Sequence, residues 1–150
     1  MIIGYTSGVF DLLHIGHINL LKNAKNMCDK LVAGVTTDDL SLYKGKKPLI
    51  PFEDRFEIIR SIRYVDAVVP QESMDKTLMC KKIKASILFV GDDWYDTPKW
   101  NQIEQDLADI GTRVVYFPYT KGVSSTSIAK ALVQTRGWSL DEINKGERIL

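Results

Sequence analysis

Five short apolar, β-prone runs, at residues 2–6, 31–36, 64–69, 86–90 and 113–117, alternate along this chain with stretches of helical periodicity. That alternation constrains the fold more than any other feature. Neighbouring parallel strands must be joined by a crossover of a dozen or more residues, and every interval between these runs is long enough to hold one. The expected architecture is α/β: a Rossmann-like, parallel five-stranded sheet with helices on both faces. Helices are expected at 15–28, 51–62, 74–83, 99–110 and 125–136. Residues 38–50 have loop composition, Pro70 should stop the third strand, Ser73 should cap the third helix, and Gly137 suits the end of the last. A chain of 150 residues is near the usual size of one domain. That domain is expected to span 1–136, with 137–150 packed on it or on a partner subunit through Trp138, Leu140, Ile143, Ile149 and Leu150.

In a parallel sheet of this kind the ligand crevice lies beyond the carboxyl ends of the strands. Polar and glycine-containing segments at 8–17, 36–47, 91–94 and 118–126 all follow strand ends, so one crevice can gather them. The first is Gly8-Val9-Phe10-Asp11-Leu12-Leu13-His14-Ile15-Gly16-His17, which holds both histidines of the chain. A helix that has begun by His14 places His14 and His17 on one face of its first turn, where unpaired N–H groups and the positive end of the helix dipole attract an anion. Gly16 bares the helix backbone to a bulky group, and Gly8 suits the positive φ of a tight strand-to-helix turn. The expectation is a phosphate flanked by two imidazoles. A structural zinc site lacks cysteines or a third histidine at ligand spacing. Ser124, Ser125 and Thr126 follow Gly122, three hydroxyls where a plain helix cap needs one, and point to a second anion contact. Lys44 and Lys46 make a cationic loop that is either a phosphate clamp or a solvated surface.

With 20 basic and 19 acidic side chains there is no global field to draw in nucleic acid or a membrane surface, so anion recognition must be local. Two cysteines form no disulfide framework or metal spacing, and neither a signal peptide nor a long apolar span is visible. The expectation is a cytoplasmic protein without membrane insertion.

The stretch from Gly8 to His17 resembles the signature of the cytidylyltransferase branch of the HIGH-motif nucleotidyltransferases. Gly122-Val123-Ser124-Ser125-Thr126-Ser127-Ile128 is similar to the second signature of that branch. Lys44, Lys46, Arg55, Ile62-Arg63-Tyr64-Val65-Asp66 and Gly91-Asp92-Asp93-Trp94 match in order and spacing, most like the members that use glycerol 3-phosphate. The resemblance implies transfer of CMP from CTP to a small phosphorylated alcohol, with release of pyrophosphate, in cell-wall or capsule synthesis. It implies catalytic roles for His14, His17, Lys44, Lys46 and Asp11. Around the nucleotide and its phosphates it implies Gly8, Val9, Phe10, Gly16, Arg63, Asp92, Tyr119, Gly122, Ser124, Ser125 and Thr126. Arg55, Asp38, Asp93 and Trp94 would be structural or substrate-positioning. Mg²⁺ would be carried mainly on the nucleotide phosphates, with Asp11 as the candidate protein ligand, and the assembly would be a homodimer with active sites near the shared interface.

Two positions depart from the pattern. Tyr119 stands where an arginine usually precedes the threonine of the second signature, so a ring face and one hydroxyl replace up to five fixed donors. Val9 stands where the glycerol-3-phosphate members have threonine. Both leave nucleotidyl transfer in place and keep open an adenylyltransferase of the same fold, using ATP and a sugar phosphate, a phosphopantetheine-like acceptor or FMN.

Overall fold

The computed structural model describes residues 1–118, 120, 121, 128, 130 and 134. In chain order the elements are β1 (Ile3–Gly8), α1 (Ile15–Lys25), β2 (Lys30–Thr36), α2 (Asp38–Tyr43), α3 (Phe52–Arg60), β3 (Ala67–Gln71), α4 (Lys76–Ile83), β4 (Ile87–Gly91), a 3-10 turn (Asp92–Trp94), α5 (Pro98–Asp109) and β5 (Arg113–Phe117). The five strands form one parallel sheet in the order β3-β2-β1-β4-β5. The chain therefore winds outward from β1 first one way and then the other, and the reversal falls between β1 and β4, where a crevice opens at the strands' carboxyl ends.

Alternation along the central strands sorts the core into two layers. Leu31, Ala33 and Val35 of β2 and Ile87 and Phe89 of β4 pack with Leu21 and Ala24 of α1 and Ile59 of α3. The intervening Val32 and Leu88, with Tyr5 of β1, pack instead with Cys80 of α4 and Trp100 and Leu107 of α5. Helices thus cover both faces, as the strand pattern requires.

Some local boundaries differ from the sequence reading. Residues expected as loop contain α2, whose N-cap Thr37 accepts a hydrogen bond from the Leu40 N–H at 3.2 Å while Asp38 and Asp39 occupy its first turn. Pro70 lies inside β3 rather than ending it. β3 is an edge strand, so the missing N–H costs no ladder bond. α4 begins later than expected, because Asp75 caps it by accepting from Thr77 N–H at 2.9 Å, whereas the Ser73 hydroxyl accepts from Asp75 N–H. α1 stops at Lys25, short of residue 28. Of the helix expected at 125–136, Ile128, Lys130 and Gln134 are described and are helical; Gly137 and the whole of 137–150 lie outside the described residues. Among the described residues no helix is long and apolar enough to cross a membrane.

Candidate active site

The turn between β1 and α1 is built against backbone preference. Positive φ falls not on Gly8 but on Phe10 (53°) and Leu12 (47°), a conformation that costs a non-glycine residue about 1–3 kcal/mol. Three anchors hold it there. Phe10 is buried in the core. The Asp11 carboxylate accepts the backbone N–H groups of Leu49 at 2.9 Å and Ile50 at 3.0 Å, and Arg55 Nη1 donates to the Val9 carbonyl at 2.7 Å.

His14 precedes the helix as its N-cap, so the two histidines do not share a helix face in the way the spacing suggested. Instead His14 Nδ1 accepts from Gly16 N–H at 3.0 Å and His17 Nδ1 accepts from His14 N–H at 3.2 Å, a reciprocal capping box with ring centroids 4.0 Å apart. Since each Nδ1 is an acceptor, each neutral ring carries its proton on Nε2. Burial pushes His17 down to about 4, and the neighbouring His14 adds to the effect; burial lowers His14 as well. Near neutral pH both are therefore neutral Nε2–H donors. Gly16 is needed by His14 itself: a Cβ there would stand 2.7 Å from His14 Cε1.

Arg55 is fully buried. Its Nε donates to Ile50 O at 2.8 Å, Nη1 also to Thr36 O at 2.7 Å, and Nη2 to Asp38 Oδ1 at 2.7 Å, while Asp38 Oδ2 accepts from Phe52 N–H at 3.2 Å. One guanidinium thereby joins the ends of β1 and β2 to the starts of α2 and α3, a structural knot beneath the site. Arg63 is different: it is exposed, with its guanidinium 5.1 Å over the Tyr64 ring, between α3 and β3 at the opposite edge of the sheet.

The crevice is an open cavity of about 950 Å³. It brings together Gly8, Val9, Phe10, Asp11, His14, Gly16, His17, Lys44, Lys46 and Trp94 of the residues singled out in the sequence. Asp38, Arg55, Arg63, Asp92 and Asp93 do not line it; Asp92 and Asp93 sit exposed on the 3-10 turn. Trp94 is 54% exposed on the wall, so it is not a core residue. Tyr119, Gly122, Ser124, Ser125 and Thr126 lie outside the described residues.

Lys76 is the site residue that sequence reasoning missed. It rises from the first turn of α4 into the cavity, where its Nζ donates to Ser7 Oγ at 2.7 Å. Burial pushes its ammonium down to about 8, with Lys44 and Lys99 adding and Cys80 opposing; burial lowers Lys44 too. No motif contains Lys76, but a lysine in a helix's first turn opposes the dipole, and that is a signal for a cation placed to meet something else. Among the described residues no ion pair engages Lys44, Lys46 or Lys76. Clustered ammoniums, a helix N-terminus and two imidazole N–H donors make a cavity suited to several phosphate groups. A protein-held metal fits less well: both Asp11 carboxylate oxygens accept backbone N–H bonds, and no group of three or more His, Cys, Asp or Glu among the described residues could hold one.

Residues 5–131 match the family model described as cytidylyltransferase-like. The chain belongs to the cytidylyltransferase-like family. To a glycerol-3-phosphate cytidylyltransferase of Bacillus subtilis (strain 168) it is 38% identical over 128 residues, covering 85% of this chain and 94% of that protein. To an FAD synthase of Pyrococcus abyssi it is 40% identical over 117 residues, covering 75% and 77%. A solved structure of a lipopolysaccharide core biosynthesis protein from Thermoplasma volcanium superposes with a TM-score of 0.69 at 28% identity, covering 82% of this chain and 99% of that one. As a cytidylyltransferase-like nucleotidyltransferase the chain has the parallel fold read from its strand pattern, and the family match spans both signature stretches.

Proposed function

We propose that this nucleotidyltransferase moves CMP from CTP to the phosphate of a small phosphorylated alcohol, glycerol 3-phosphate before others, forming a CDP-alcohol and pyrophosphate. The observation that carries the reading is a pair of neutral histidines facing a cationic cavity. A phosphate monoester has its second pKa at about 6 and is largely a dianion near neutral pH, so its oxygen attacks without a base. Imidazoles pushed below neutrality are donors rather than bases, which suits a phosphate acceptor better than an alcohol nucleophile.

The acceptor oxygen attacks the α-phosphorus in line. A new P–O bond forms as the α–β bridging bond breaks, and the electron pair leaves on pyrophosphate, with no proton to relocate. His14 and His17 donate from Nε2 to oxygens that gain charge, and the positive end of the α1 dipole adds to them. Lys44 and Lys46 hold the triphosphate and the departing pyrophosphate, the 122–126 signature adds hydroxyls and N–H groups, and Lys76 meets the acceptor phosphate. Asp11 acts by latching the lysine loop to the histidine turn. Mg²⁺ enters as the nucleotide's counter-ion, part of the substrate. The active assembly is a homodimer, for which light scattering should give twice the chain mass.

The 38% identical relative supports glycerol 3-phosphate. A second reading, adenylyl transfer from ATP to FMN or another phosphorylated acceptor, is favoured by the 40% identity to an FAD synthase and uses the same geometry. Pyrophosphate release, measured with each of the four nucleoside triphosphates, Mg²⁺ and a panel of glycerol 3-phosphate, phosphocholine, phosphoethanolamine, sugar phosphates, phosphopantetheine and FMN, separates them. We expect kcat/KM for CTP to exceed that for ATP by at least about tenfold, or about 1.4 kcal/mol. Preference for ATP with any acceptor overturns the cytidylyl assignment; CTP turnover with another acceptor changes only the product.

A further inference from the structure

On the face of the sheet covered by α4 and α5, β1 places Tyr5 and Ser7 two residues apart and therefore on the same side. Tyr5 is 1% exposed, a phenol inside an apolar layer. It fits because β2 has Gly34 beside it: a Cβ on Gly34, the register partner of Ser7, would stand 2.2 Å from the Tyr5 hydroxyl. Burial pushes the Tyr5 phenol up to about 12, with a hydrogen bond from Ser7 working the other way. On its far side Ser7 Oγ accepts from Lys76 Nζ. A serine hydroxyl has one proton and two lone pairs, so it can donate to Tyr5 Oη while accepting from the ammonium. Ser7 and Lys76, from β1 and α4, thus place a polar contact in the cavity floor.

We propose that Ser7 is a positioning residue for the acceptor: its hydroxyl fixes the Lys76 ammonium in the cavity floor and so sets affinity for the acceptor's phosphate. The inference rests on the reading that the acceptor carries a phosphate. Lys76 has three donors, and Ser7 takes one, leaving two for an anion in the cavity that Lys76 lines. Without the Ser7 hydroxyl the flexible lysine stem has other rotamers available, and ordering it falls to the ligand.

The test has two arms. In the kinetic arm, with whichever nucleotide and acceptor the wild type turns over, Ser7→Ala should raise the acceptor KM about tenfold while kcat and nucleotide KM stay within about twofold. Ser7→Thr should restore the acceptor KM. Equal changes in both KM values, or none, overturn the proposal. The second arm needs no turnover: Lys76, carbon-labelled at Cε, is titrated by NMR with and without inorganic phosphate. Phosphate should raise the Lys76 titration midpoint in the wild type, and Ser7→Ala should bind phosphate about tenfold more weakly. Phosphate that leaves the Lys76 signal unmoved, or binds Ser7→Ala as tightly, overturns the proposal. A wild type that turns over no phosphorylated acceptor refutes the proposed function, and the titration still decides the role of Ser7.

Discussion

The histidine turn and the lysine floor face one cavity but are assembled over very different distances. His14, Gly16 and His17 hold one another through bonds spanning two and three residues. The floor joins Ser7 to Lys76 across 69 residues, and Lys44 arrives from a third segment. A local turn can keep its internal geometry wherever the chain carries it, whereas the floor exists only when strands and helices are docked. Even the turn borrows its placement from afar, since Arg55 and Asp11 tie it to residues some forty positions away. The contrast teaches that the geometry of the imidazole donors is written locally and that the lysine floor is a property of the fold.

The largest effect should come from breaking what both regions share. Arg55→Ala removes the partner of three backbone carbonyls and of Asp38 and should cost about 3–5 kcal/mol of stability in urea unfolding. A loss below about 1 kcal/mol would mean that water replaces the guanidinium and that the knot is not structural. Next come the histidines alone. His14→Ala and His17→Ala should each lower kcat about 10²-fold or more, about 2.7 kcal/mol, with nucleotide binding changed much less. Near-full kcat in either variant would remove that residue from the transition state.

The pH dependence sharpens the comparison because the two regions titrate at opposite ends. His17 is depressed from 6.5 to about 4 and Lys76 from 10.5 to about 8. In each window the unfolded chain binds more protons than the folded one, so stability rises with pH across about 4 to 6.5 and again across about 8 to 10.5. With Lys76 in the proposed role, acceptor affinity should move the other way at the upper end, since the ammonium loses its charge as pH rises through about 8. Acceptor KM should therefore climb several-fold between pH 7.5 and 9 without a matching fall in melting temperature, and a flat acceptor KM would remove Lys76 from the acceptor site. Arg63→Ala should do least: exposed and stacked on Tyr64, it should change stability by no more than about 0.5 kcal/mol and nucleotide KM by less than about twofold. Loss of activity together with a halved mass in light scattering would instead place Arg63 at the subunit interface.

What the sequence determined by itself was whatever depends on neighbours along the chain. Alternating strand and helix periodicity specified a parallel sheet with helices on both faces, and the Gly8 to His17 stretch specified a donor-rich turn after β1. α2 escaped that reading because a Thr37 cap and two aspartates lie within a segment dominated downstream by Gly45, three lysines and Pro48. Only the tertiary structure decided between Arg55 and Arg63, the same residue type eight positions apart. A crossover helix runs back against its strands, so its first turn lies at the crevice edge and its end at the far edge, about 12 Å away at 1.5 Å per residue. Arg55 enters the folded interior at the first place and Arg63 meets solvent at the second. The same rule puts Lys76, in the first turn of α4, at the crevice. It is held there by Ser7, a residue of β1 that no periodicity connects to a lysine in a helix 69 positions away.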